Sequence, residues 1–469
     1  MGVKRIRTKL TQKGIYSMNK QKNNGFTIGK LLYYVVVIIL IFIVFKLLSI
    51  YSQNNFGDFV KSEYRSGISQ FTRDTNNQYS ETASYCITNG TYNDAMFYKP
   101  ISVKPNTPYK VTCMVKTEGV EIAEGKTSGG AHISINGTTE RSSCVRGSSS
   151  GWVKLEFIFH SKNRQEVELG FRLGGYNESA KGKAYFSDFT LEAGIPDNST
   201  TWNFACFIFD KIDVTIDNNG VEEQISLQIQ PQDISNITEN MARFKNSCEQ
   251  LSGSQMSVNY HVIRIKDPIT TISYDDENGY YIAPEDVEPL IKDYVQQNDY
   301  DHIFVAVRMG NMIEQKSIPV HDWIGLGAMD YYGIGFSNIR LPDDSNDYTY
   351  RYNPRINTFP EEVYVHEFLH SLERTLMEYE YEIPALHDNE KYGYATERLI
   401  GLKNWYQDYM RKNIASSNGM VGLDSIVYTL KPAHESDFAT STKIEEFKES
   451  KNPFQGIFTN IKYLVNKNK

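Results

Sequence analysis

The run His366-Glu367-Phe368-Leu369-His370 sets two imidazoles four residues apart, with a carboxylate beside the first. On a helix, positions four apart share one face, so both rings can offer a nitrogen to a single Zn²⁺ while Glu367 flanks the ion's open side. The chemistry this set supports is metal-assisted hydrolysis. The ion polarises a carbonyl and lowers the pKa of a water toward roughly 7, and Glu367 takes the proton as general base.

A helix has to carry these groups, and its signals surround them. Thr358 and Glu361 have capping-box spacing, Pro360 suits a first turn, and Val363, Phe368, Leu369, Leu372 and Leu376 supply a buried side. A catalytic zinc usually has three protein ligands, and His387 is favoured as the third because a turn after Pro384 can fold back to the helix. Glu390, Asp388 and Glu397 have suitable ligand chemistry and stay open as rivals. Glu373, one turn beyond His370, is placed to accept from a ligand imidazole N–H. Tyr392 and Tyr394 are candidate catalytic donors to a developing oxyanion, against a competing packing role in a chain with 32 tyrosines. The other histidines, His132, His160, His261, His302, His321 and His434, have no ligand spacing and read as surface or satisfied core residues.

At 469 residues the chain is expected to form two or three domains. A net charge of -8 and no long basic run after residue 30 argue against a nucleic-acid partner. The 5 cysteines contain no C-x-x-C pair, which gives no sign of a cysteine zinc site. Cys86, Cys113 and Cys144 precede residue 195 and Cys206 and Cys248 follow it, so one bridge per module stays open.

Residues 1–30 are basic, and the first acidic residue is Asp58. An apolar run at 31–51 follows, close to the roughly 20 residues that span a bilayer, so a single-pass signal anchor is expected, with a cytoplasmic N-terminus and the rest of the chain extracellular. Asn24-Gly-Phe-Thr-Ile28 resembles the start of type IV prepilins, but Lys30 stands where those proteins usually carry a glutamate.

From 56 to 194 apolar residues alternate, as in Tyr109, Val111, Cys113 and Val115, or Val167, Leu169, Phe171 and Leu173, which predicts an all-β sandwich. Together with Val103–Thr112, Gly151–Phe157 and Ala184–Glu192, this stretch resembles a galactose-binding-like jelly roll of the carbohydrate-binding-module type, and the resemblance implies glycan binding. Residues 194–201 suit a linker. Over 203–465 the pattern is α/β: a strand at Phe204–Ile216, a helix on Ile234, Ile237, Met241, Phe244, Cys248 and Leu251, a strand near Val258, a helix from Pro284, and a buried strand from His302.

That order, ending in the metal helix, resembles the N-terminal half of zincin metallopeptidases. The resemblance implies Zn²⁺-dependent hydrolysis of a peptide or protein, with Gly333–Leu341 as the sheet edge that pairs with substrate backbone. The metzincin continuation is not met, since Glu373 and Leu376 hold its glycine and histidine positions. The expectation is a membrane-anchored extracytoplasmic zinc metallopeptidase that meets glycans or glycoproteins through its jelly roll. The alternative is a non-catalytic cell-surface carbohydrate- or protein-binding protein on a zincin scaffold.

Overall fold

Among the described residues, period-two alternation organises 60–193 into nine strands: β1 (Val60–Glu63), β2 (Ser69–Asp74), β3 (Ser84–Asn93), β4 (Ala95–Ser102), β5 (Pro108–Ile122), β6 (Gly130–Ile135), β7 (Val153–His160), β8 (Glu166–Gly174) and β9 (Ala180–Ala193). They pair antiparallel in two sheets, ordered β1-β4-β8-β6 and β2-β3-β9-β5-β7. Val111, Cys113 and Val115 from one sheet meet Leu169, Phe171 and Leu173 from the other in a shared core, so this part is a two-layer β-sandwich.

The structure is a computed structural model. It describes residues 59–446 except 125, 127–128, 219, 299, 348–350, 356, 379–380, 396–400 and 439–441, together with Val36, Val37 and Ile39, which are helical. The expected anchor at 31–51 otherwise lies outside the described residues. Among the described residues, no helix is long and apolar enough to cross a membrane.

The second half is built on a mixed sheet. The apolar run that reads as one strand breaks at Asp210 into β10 (Thr201–Phe209) and β11 (Lys211–Asn218), and β11 forms a hairpin with β12 (Val221–Gln228). β10 is apolar on both faces: Trp202, Phe204, Cys206 and Ile208 enter one core, while Ala205, Phe207 and Phe209 enter another. Such a strand belongs inside a sheet covered on both sides. β13 (Ser257–Ile265) and β14 (His302–Arg308) flank it in parallel. Beyond β14 the sheet closes with β15 (Gly325–Tyr331) and β16 (Ile334–Leu341), in the spatial order β13-β10-β14-β16-β15. Helices α1 (Pro231–Leu251), α3 (Glu362–Glu378) and α4 (Gly401–Tyr409) cover one face, and α2 (Pro284–Asn298) covers the other.

One expectation is corrected here. The segment Gly333–Leu341 is not the sheet edge: its strand β16 lies between β14 and β15, and β15 is the edge. The reason is a two-residue hairpin at Tyr332 and Gly333, both at positive φ (51 and 89), which folds β15 back antiparallel over the side that β16 would have exposed.

Phe56–Lys469 form one compact unit, and several contacts join its two layers of structure. Arg141 of the sandwich meets Glu285 of α2 at 2.7 Å, Arg374 of α3 donates to Thr139 at 2.9 Å, and the Lys162 amine donates to the Leu430 carbonyl. A last strand, β17 (Thr442–Glu446), returns from the α/β part to pair with β9. All five cysteines are free thiols.

Candidate metal centre

The helix carrying the motif starts later than its sequence signals suggest. Val365 N donates to Glu361 O at 3.2 Å as the first full helical bond, and the expected capping box does not form. Thr358 Oγ1 instead closes the preceding loop, accepting from Asn353 N at 2.7 Å and donating to Arg351 O at 3.1 Å, while the Glu361 carboxylate accepts from Ser247 Oγ on α1. Val365, Phe368, Leu369, Leu372 and Leu376 bury one side of α3, which turns His366, His370 and Glu373 toward the opposite side.

The chain after α3 folds back to that side. Tyr381 N donates to Leu376 O at 2.9 Å, Trp405 Nε1 to Leu386 O at 2.8 Å, and Tyr409 Oη to Pro384 O at 3.1 Å, so α4 pins the returning segment. Glu373 adds a clasp, accepting from His370 Nδ1 at 3.0 Å with one oxygen and from Leu386 N at 2.9 Å with the other. His387, next in the chain, is thereby held over the two helix histidines.

The three Nε2 atoms form a triangle whose sides are all 3.1 Å. Its centre lies about 1.8 Å from each nitrogen, a spacing compatible with the roughly 2.0–2.1 Å of a Zn–N bond, so these three residues would hold the ion. The hydrogen bonds on the far side of two rings fix their tautomers. Tyr406 Oη donates to Glu362 Oε1 at 2.6 Å, so at 2.8 Å it must accept from His366 Nδ1. The Glu373 carboxylate likewise accepts from His370 Nδ1, which leaves both Nε2 atoms as lone pairs pointing at each other. Partial burial, then the neighbouring His370, hold His387 below the usual imidazole range. Converging neutral nitrogens repel unless a cation lies between them, and this donor set fits Zn²⁺.

Of the rival ligands, Asp388 pairs with Lys391 at 2.7 Å and Glu390 is exposed in a short 3₁₀ turn. Among the described residues the cluster with metal-ligand geometry is His366, His370 and His387, and Glu397 lies outside those residues.

Glu367 is 5 % exposed and faces β15. A Cβ on Gly325 would come within 2.4 Å of its side chain, and one on Gly327 within 2.7 Å of its backbone oxygen, so two glycines let the edge strand pass against the carboxylate. A cleft of about 360 Å³ opens here, lined by Glu367, His366, His387, Gly325, Trp323 and Asn389, among others. Tyr392 and Tyr394 do not line it. Both rings pack on Trp405, and the Tyr394 hydroxyl donates to Asp408 at 2.7 Å. The sequence reading missed Tyr406, Glu362 and Gly325. No local pattern marks Tyr406, which lies 40 residues beyond His366.

No family model matches the chain, and no curated protein matches it. Among solved structures, it is similar to a family 16 carbohydrate binding module, with 15% identity and a TM-score of 0.19 over 26% of this chain and 84% of that one. It is also similar to the CBM22-1 xylan-binding domain of Paenibacillus barcinonensis Xyn10C, with 18% identity and a TM-score of 0.19 over 28% and 85%. A third is the enzymatically active domain of bacteriophage CBA120 tailspike protein 4, with 12% identity and a TM-score of 0.21, where the match spans 29% of this chain and only 19% of the tailspike's. Likeness at this level bears on neither ligand nor activity.

Proposed function

We propose that this chain is a zinc-dependent peptidase of zincin type, carried on the outer side of a membrane by its segment 31–51, acting on peptides or proteins, including glycoproteins. The observation that supports it most is the convergence of three histidine Nε2 atoms at 3.1 Å beside a buried glutamate and an open cleft. His366, His370 and His387 would hold the ion. Bound there, Zn²⁺ would supply a Lewis acid for the scissile carbonyl and make a neighbouring water more acidic. Glu367 accepts the proton of the attacking water and hands it to the leaving amine nitrogen. As the sheet edge, β15 offers an extended substrate a strand to pair with at its Gly325 end, since Ala328 N donates to Ser371 Oγ and Met329 O accepts from Arg374 at the other.

Two variants test this reading. Glu367→Gln keeps size and helix preference while removing the base, so zinc stoichiometry and thermal stability should hold while turnover of a cleaved peptide falls by a factor on the order of 10² to 10⁴. His387→Ala should lose zinc, read by metal analysis after dialysis, because one of three protein ligands is gone. Unchanged turnover in the first variant or unchanged zinc content in the second defeats the assignment of that residue.

A second reading is a surface protein whose sandwich binds carbohydrate and whose metal helix serves as scaffold. It is favoured by buried polar atoms on the outer face of β6 and β8. A peptide library left uncut by the zinc-loaded chain would decide for it.

A further inference from the structure

A separate cavity of about 240 Å³ lies at the seam between the sandwich and the mixed sheet. Its floor is the outer face of β6 and β8, where His132 and Arg172 are direct cross-strand neighbours. Alternation puts them there: Ala131 and Ile133, like Phe171 and Leu173, fill the sandwich core, so the residues between them face the other way. In a free sandwich that face would meet water. Here Ala328–Asp330 of β15, Glu285 of α2 and Arg374 of α3 roof it, and His132 and Arg172 are 0% and 7% exposed.

Each of the two carries a buried polar atom without a hydrogen-bond partner, His132 Nε2 and Arg172 Nη1. His132 Nδ1 lies 3.1 Å from the Gly130 carbonyl, which can only accept, so Nδ1 holds the proton and Nε2 presents a lone pair. Burial first, then the nearby Arg141 and Arg172, keep this ring neutral. Arg172 is committed elsewhere through Nε, which donates to Asp94 Oδ1 at 2.6 Å, and through Nη2, which donates to Asp94 Oδ2. Its remaining Nη1 is a donor. A buried lone pair and a buried donor, left unmatched, each destabilise the fold.

The charges around the cavity are already paired: Arg172 with Asp94, Arg141 with Glu285 at 2.7 Å, Arg374 with Asp330 at 3.7 Å, and Glu178 with Lys126 at 3.9 Å. A ligand here therefore has to be neutral, and it has to both donate and accept. Hydroxyl groups do both. Tyr176, 46% exposed, and Tyr281 add ring surface suited to the C–H face of a sugar. The volume is below the roughly 300–1,000 Å³ of sites for drug-sized ligands, a size for one ring and not for an extended chain.

We propose that this seam pocket binds one neutral sugar unit, with a hydroxyl donating to His132 Nε2 and an oxygen accepting from Arg172 Nη1. The inference deepens the glycan reading of the sandwich and requires nothing of the metal centre. The two sites share β15. Gly325 borders the metal cleft and Met329 borders the seam pocket, four residues apart on a strand bulged between Leu326 and Met329, so a sugar-bearing polypeptide can reach both.

The test is saturation-transfer NMR on the full chain with galactose, N-acetylgalactosamine, glucose, N-acetylglucosamine and mannose, and with glucuronate as the charged comparison. At least one neutral sugar should bind more tightly than glucuronate, and His132→Leu and Tyr176→Ala should each weaken that sugar about tenfold with zinc content unchanged. If His132→Leu fails to fold, Tyr176→Ala at the exposed rim gives the reading alone. The proposal is overturned if no neutral sugar binds at tens of millimolar, or if binding is indifferent to these substitutions and so lies elsewhere. Sugar binding without peptide cleavage would remove the peptidase reading and leave this one standing; cleavage without sugar binding would do the reverse.

Discussion

Tyr406 is the residue on which the orientation of the metal centre turns. Its oxygen accepts from His366 Nδ1 at 2.8 Å while its proton goes to Glu362 Oε1 at 2.6 Å, a relay that aims the His366 lone pair at the other two rings. Tyr406→Phe keeps the buried ring and deletes the relay, so zinc affinity should fall about 10- to 100-fold, the range for partners that orient a ligand. Competition against a chelator measures it, with apo-protein unfolding run alongside to separate metal binding from stability. Affinity within about twofold of the parent would reduce Tyr406 to a packing residue. The helix pair His366 and His370 was legible in sequence because a four-residue spacing is a local fact about one helix face. Tyr406 was not, because α4 delivers it from a different part of the chain. The same packing drew the Tyr394 hydroxyl to Asp408 and set Tyr392 against Trp405, away from the cleft for which both were candidates.

Among the elements, the edge strand β15 does the most to shape the site. Helices α1 and α2 were visible from apolar residues three and four apart, but which strand ends a sheet depends on a tertiary choice. The hairpin at Tyr332 and Gly333 made that choice, and it set Gly325 and Gly327 against Glu367. Adding one methyl group tests the arrangement. In Gly325→Ala the new Cβ falls within 2.4 Å of Glu367 Cγ and Oε1, so the carboxylate has to move while the three histidines are untouched. Turnover should drop by about 10²-fold or more, as for loss of the base itself, with full zinc occupancy. Gly327→Ala meets the Glu367 backbone oxygen at 2.7 Å as well as its Oε2 at 2.8 Å, so it should in addition cost stability, about 1–3 kcal/mol, because the strand must lift from the helix. Parent-like turnover in Gly325→Ala would mean that Glu367 is not held where the chemistry needs it.

At the scale of the whole molecule, the two modules read from sequence as beads on a linker are tied together, and β17 and Lys162 do much of the tying. Neither was legible: a strand that pairs with a sheet some 250 residues earlier carries no local sign of its partner, and a lysine in a turn usually points into water. Lys162 is 3% exposed, its amine donates to the Leu430 carbonyl, and burial lowers its pKa from 10.5 to about 7. Glu140 and Asp301 act to raise it, while Arg164 and Lys431 press it further down. The sign follows from linkage. Between pH 7 and about 10.5 the unfolded chain binds the proton that the folded chain has released, so folded stability rises with pH across that window. Below pH 7 the cost of burying the charged amine is present in full. Lys162→Met fills the same space without a titrating group. The parent should therefore gain on this variant by at most about 1.4 kcal/mol per pH unit from pH 7 to 10, measured by denaturant unfolding of both proteins at each pH. A stability difference that stays flat across that range would show that Lys162 keeps an ordinary pKa and that the seam admits water at its amine.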